Sequence, residues 1–159
     1  MSKILASVVL SSMLVSVLAE VPTVKDLKLG SYSGKWYQIA DYPLFYENFC
    51  GKCTEASYTP NADGSISVQN DAQSVFGRIG ICSTAGTATI SDPAQPAKLK
   101  VKLDSGFGRV ADYWVVEVGP EENGKYSWSI VTNAQQSLRL RRSPCYQRHP
   151  SPGWNQILL

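Results

Sequence analysis

Apolar residues recur at every second position through most of this chain, an alternation that argues for half-buried strands rather than helices. In SISVQN, Ser65–Asn70, Ile66 and Val68 share one face; in KLKVKLD, Lys98–Asp104, Leu99, Val101 and Leu103 face one way and three lysines the other. Turn-forming clusters separate these runs: PNADG at 60–64, SDPAQP at 91–96, SGFG at 105–108 and GPEENG at 119–124. The pattern predicts strands at Lys35–Tyr42, Thr54–Thr59, Ser65–Asn70, Gly86–Ile90, Lys98–Asp104, Tyr113–Val118 and Tyr126–Thr132, with a weak eighth at Ser137–Arg142. Eight short strands joined in chain order make an all-β domain, either an antiparallel up-and-down barrel or a sandwich. An immunoglobulin-type sandwich places cysteine, tryptophan and cysteine on core strands. Here Cys50 and Cys53 precede a strand and Cys145 follows the last, so local hairpin connectivity favours the barrel.

The first nineteen residues carry one early charge, Lys3, then an apolar and serine-rich run ending in Ala19 before Glu20. This is the pattern of a secretory signal peptide (1–19) with cleavage after Ala19. A membrane anchor requires about 20 apolar residues, and the run Ile4–Ala19 is shorter and contains four serines. The expectation is a secreted, extracellular protein with a barrel domain over 20–142 and an irregular tail over 143–159. Secretion into an oxidising compartment makes Cys50, Cys53, Cys82 and Cys145 candidates for disulfides. The alternative for the close pair CGKC, a redox or zinc motif, lacks both the surrounding strand–helix alternation and a second close pair, so no metal site and no cofactor are expected.

Of the fifteen basic residues, Lys3 precedes the cleavage site and Arg139, Arg141, Arg142 and Arg148 lie at the C-terminal end. The body, Glu20–Ser137, holds ten basic against thirteen acidic residues, a balance of minus three. No basic face spans the domain, and nucleic acid is excluded as a partner. The terminal arginines admit a weak contact with an anionic membrane surface, although a solvated end explains them as well. No HExxH, GxSxG or glycine-rich phosphate loop occurs, and the single histidine, His149, lies in the proline-rich tail. Triad chemistry therefore lacks its base, and no catalysis is expected.

The stretch GKWYQIADYP, Gly34–Pro43, resembles the glycine-x-tryptophan motif of the lipocalin (calycin) family. The resemblance continues through ENFCGKCTEASYTPNADGSISVQN, GTATISDPAQPAKLKVKLD and DYWVVEVGPEENGKYSWSIV, covering roughly Val24–Thr132, and is strongest to the apolipoprotein D-like and bacterial outer-membrane group. It implies an eight-stranded barrel whose narrow end is plugged by Trp36, with Gly34 letting the entering chain cross beneath. It also implies that Arg142, in Arg142-Ser143-Pro144, stacks on Trp36, a contact worth about 1–2 kcal/mol. With Trp36 inward, alternation turns Gln38, Ala40 and Tyr42 inward and Tyr37 and Ile39 outward. The family's threonine-aspartate-tyrosine motif is not met: Ala111-Asp112-Tyr113 imitates it one strand early, and the matching turn is Gly119-Pro120-Glu121.

Beyond about Ser137 the chain departs from the family. The ending PCYQRHPSPGWNQILL has three prolines and a glycine in sixteen residues, which excludes a packed helix of normal length. The family's C-terminal helix is thus expected to be missing, leaving Tyr37 and Ile39 wet and the barrel weakly closed. An alternative or mis-predicted C-terminus accounts for this ending, as does a genuinely divergent tail.

A barrel of about eight strands leaves room for one small ligand. The inward phase names Tyr42, Tyr58, Val68, Leu99, Val101, Leu103, Trp114, Val116 and Trp128 as its lining. The resemblance implies a carrier of a small hydrophobic molecule such as a fatty acid, sterol, retinoid-like compound or pigment. Other classes are a secreted interaction or inhibitor protein acting through its loops, or a non-functional truncated isoform. Lipocalin order places Cys50 near Cys82 at the open end and gives Cys53 to Cys145. Four cysteines nevertheless allow three pairings. In the few lipocalins that resemble enzymes an in-barrel cysteine acts, and Cys82 is the one remote candidate. Oligomeric state is left open.

Overall fold

A computed structural model of the chain describes residues 21–41, 52–73, 81–104, 109–133, 141–142 and 155–158. The elements run α1 Leu29–Tyr32, β1 Gly34–Asp41, β2 Lys52–Pro60, β3 Ile66–Gln73, β4 Ile81–Ile90, β5 Lys98–Leu103 and β6 Val110–Val118. They continue with a small hairpin, β7 Glu121–Glu122 and β8 Lys125–Tyr126, then β9 Trp128–Thr132, β10 Arg141–Arg142 and β11 Asn155–Leu158. Strands β1 to β6 and β9 form an antiparallel meander in chain order, as the local turns demand. The seven strands predicted between Lys35 and Thr132 are all present, and β4 begins five residues earlier than expected.

The turns are made by the chemistry their residues carry. Between β2 and β3, Asp63 Oδ1 accepts from the Ser65 amide at 2.9 Å, and Gly64 takes a φ of 82°. Asn123 and Gly124, at φ 52° and 75°, form the tip of the β7–β8 hairpin, as an Asn-Gly pair favours.

Closure is where the structure differs from expectation. The predicted eighth strand is represented by the two residues of β10, which pair antiparallel with β1 at Ala40 and Asp41; residues 137–140 lie outside the described set. The space between β1 and β9 is filled by β11, from the tail expected to be irregular. It pairs with both neighbours, Trp36↔Asn155 and Gln156↔Trp128 among them. The ladder thereby returns on itself. Because an odd number of antiparallel strands separates them, β1 and β9 run the same way, and β11 is parallel to both. Tyr37 and Ile39, expected to be wet, are half-buried.

The core lies at the end of the short turns. Leu27, Tyr32, Trp36, Ala97, Leu99, Val115, Tyr126 and Val131 are buried together there. The segment before α1 joins it through the Val24 amide, which donates to the Val115 carbonyl at 3.0 Å. The β7–β8 hairpin then holds α1 in place. Lys28 pairs with Glu121 at 2.8 Å, and Lys125 Nζ donates to the Gly30 carbonyl and Ser33 Oγ, each at 2.7 Å. Cations at the C-terminal turn of a helix meet its unpaired carbonyls, which accounts for the placement of Lys125.

Candidate functional site

Trp36 has no exposed surface and closes the floor of the barrel. Its indole Nε1 donates to the Tyr32 carbonyl at 2.7 Å, and its ring centroid lies 4.7 Å from that of Tyr32. The glycine before it acts differently from the expectation. A Cβ at Gly34 would meet no heavy atom within 4 Å, so no crossing chain demands its smallness. Its φ of 109° is the requirement, since side chains rarely tolerate that backbone conformation. The backbone of Arg142 pairs with Ala40; its side chain, and hence the expected stacking on Trp36, lies outside the described residues.

Above the floor lies an apolar slot lined by Tyr32, Tyr58, Ile66, Val68, Asn70, Ala88, Leu99, Val101 and Tyr113. Its cavity volume is small, about 50 Å³, and its empty volume with the mouth included is about 380 Å³. Four of the predicted lining residues, Tyr58, Val68, Leu99 and Val101, come together here. Leu103 packs against the core without lining the slot. Tyr42 lies outside the described residues.

Trp114, Val116 and Trp128 were expected to point inward and are placed elsewhere. A bulge between Val115 and Glu117 shifts the register of β6 against β9. Counting back from the outward Glu117 therefore gives the wrong phase for the first half of the strand, because one extra residue exchanges the two faces. Tyr113 and Val115 are the inward residues; Trp114 lies on the outer face, with Lys98 Nζ 4.9 Å from its ring centre. Val116 sits at the bulge itself. On β9 the inward residues are Ser129 and Val131, with no and 3% exposed surface. The Trp128 ring lies over Gly119, where an added Cβ would collide with it.

Sequence reasoning missed Tyr32, Tyr113, Ser129 and Asn70. Opposite charges at Lys100 and Asp112, which pair across the outer face of β5 and β6, were the available signal for Tyr113: with Asp112 outward, Tyr113 turns inward. The missed residues supply most of the slot's polarity. Tyr58 and Tyr113 hydroxyls are 3.0 Å apart, Tyr113 and Tyr32 2.9 Å, and Tyr32 and Ser129 Oγ 3.1 Å. Burial pushes all three phenols up, Tyr58 to about 12, and they stay protonated at physiological pH. Charged groups are on the outer face instead, where Lys35 pairs with Glu55 at 2.7 Å and Asp71 accepts from Ser83 Oγ at 2.6 Å.

Cys53 and Cys82 are both disulfide-bonded. Cys53 has a φ of 53° within a register shift between Lys52 and Glu55. Cys50 and Cys145, and with them the pairing, lie outside the described residues. Among the described residues no group of three or more His, Cys, Asp or Glu side chains is placed to hold a metal ion, and no helix is long and apolar enough to cross a membrane.

Comparison with known proteins places this geometry in a family. Residues 27–148 match the model of a lipocalin-like domain. Temperature-induced lipocalin-1 of Arabidopsis thaliana is 34% identical over 130 residues, 73% of this chain and 68% of that protein. Outer membrane lipoprotein Blc of Vibrio cholerae is 32% identical over 146 residues, 91% of this chain and 81% of its own length. Apolipoprotein D of Bos taurus is 33% identical over 95 residues, 60% of this chain and 48% of that protein. The match thus spans about half the length of the apolipoprotein D relative.

Proposed function

Since the chain belongs to the lipocalin family, we propose that it is a secreted protein that binds and carries one small hydrophobic molecule in the barrel. The observation that carries this reading is the slot between the floor tryptophan and the barrel walls, lined by Ile66, Val68, Ala88, Leu99 and Val101 with few polar groups. Such a lining suits an apolar ligand held by burial, with a small number of polar groups fixing its orientation. The limited room inside favours a slender ligand, an acyl chain or polyene, over a broad fused-ring one. Binding without chemistry is the matching activity: Cys82, the remote nucleophile candidate, is disulfide-bonded, and a disulfide sulfur is not a thiolate nucleophile.

Tryptophan fluorescence tests the proposal, because the Trp36 ring lies against Tyr32, a wall of the slot. Saturable quenching at one ligand per chain is expected from retinol or a polyunsaturated fatty acid. Absence of saturable quenching across a panel of fatty acids, sterols, retinoids and pigments would refute it.

A further inference from the structure

The four hydroxyls of Tyr58, Tyr113, Tyr32 and Ser129 carry four protons, and the three contacts that join them use three. One O–H is left over in any arrangement. Ser129 has no exposed surface, and among the described residues its hydroxyl meets only Tyr32, so a leftover proton on Ser129 would be buried without an acceptor. That arrangement is the costly one. With Ser129 donating to Tyr32, the remaining proton falls on Tyr32, Tyr113 or Tyr58, and all three line the slot.

We infer that this cluster is the receptor for a neutral oxygen, a carbonyl or hydroxyl, at the tip of an elongated apolar ligand that enters oxygen first. The inference rests on the carrier reading above and specifies its ligand class. A second polar point supports it. Asn70 lines the slot, and its carboxamide has no hydrogen-bond partner among the described residues. It stands two residues along β3 from Val68, the partner of Tyr58, or about 7 Å toward the mouth. A carboxylate tip is disfavoured, because none of the residues lining the slot is a cation and a buried, unpaired carboxylate is costly.

The test measures dissociation constants for hexadecanol, a long-chain methyl ketone, hexadecane and palmitate against the full chain, its Tyr58→Phe variant and a variant with Tyr32, Tyr58 and Tyr113 all replaced by Phe. For the unaltered protein the alcohol and ketone are expected to bind roughly 3- to 10-fold tighter than hexadecane, the worth of one net hydrogen bond. Tyr58→Phe removes one proton and one contact together, so a spare proton remains on Tyr113 or Tyr32 and the preference should persist. The triple variant has no phenol in the slot and should bind alcohol, ketone and hexadecane about equally. The comparison of the four probes on the unaltered protein keeps the test decisive if the triple variant does not fold. Palmitate binding tighter than hexadecanol overturns the inference, as does a missing preference in the unaltered protein or one that survives the triple variant; each leaves the carrier reading standing. Failure of all four probes to bind removes the carrier reading and the inference with it.

Discussion

Gly86 is the position at which a single methyl group tests the barrel wall. It pairs with Val68 on β3 and Leu103 on β5, so a side chain added there would point inward between them. A Cβ would lie 2.9 Å from both Leu103 Cα and Leu103 Cδ2, and closer still to the Lys102 carbonyl oxygen. The side-chain end can rotate away, but the Lys102 and Leu103 backbone atoms cannot without shifting β5. Overpacking of this kind costs about 1–3 kcal/mol. For a domain of this size that lowers the melting midpoint by roughly 3–12 °C.

Two other glycines supply the controls for Gly86→Ala. Gly30 has open space around it and no left-handed φ, so Gly30→Ala should leave the midpoint unchanged or raise it slightly. Gly34 also has open space but a φ of 109°, so Gly34→Ala should cost about 1–3 kcal/mol through the backbone alone. Thermal melts followed by circular dichroism at equal concentration should therefore rank the three with Gly30→Ala highest. A Gly86→Ala midpoint within a degree of the unaltered protein would refute the β4–β5 register on which the slot is built.

The tyrosine cluster predicts an alkaline limit. Burial raises the folded-state pKa of Tyr58 to about 12, above the ordinary 10, so the protonated phenol favours the folded state. That stability is present in full below pH 10 and is lost as pH rises from 10 toward 12; melts at pH 8, 10 and 11 should fall in that order. Deleting residues from Asn155 onward removes β11 and bares the facing edges of β1 and β9, which should promote association. Light scattering across a concentration series checks it, and unchanged monomer would show that β11 does not close the barrel.

The meander was legible because alternation and turn residues speak through adjacent positions. SISVQN and KLKVKLD each carry their own phase, and Val68, Leu99 and Val101 follow from it. The site was harder to read because its phase depends on a defect. A bulge at Val116 leaves no mark in a hydrophobic run such as YWVVEV, and it exchanges Trp114 for Tyr113 on the inner face. Size misled as well: Trp128 looked like lining, yet Ser129 is the buried residue because its hydroxyl has a partner in Tyr32. Tyr32 itself lies on α1, before the first strand, where strand alternation says nothing. The closing strand escaped notice for a different reason. Its pairing with β1 and β9 is parallel and joins distant parts of the chain, so no hairpin turn announces it.

The floor of the barrel and the polar end of the slot are the same structure. Tyr32 takes the Trp36 indole proton on its carbonyl, packs its ring on that indole, and contributes its hydroxyl to the cluster above. Its own position is set by α1, which the β7–β8 hairpin grips through Lys28–Glu121 and Lys125. These outer contacts are exposed, and surface ion pairs of this kind are individually weak. Burial of Trp36 and Tyr32 is the larger contribution, about 1.5–3 kcal/mol for each large apolar side chain. The plug that closes this barrel therefore also orients the hydroxyls of the cluster, and the ends of the slot are chemically unlike: hydroxyls at the floor, an amide part-way up, and apolar walls between.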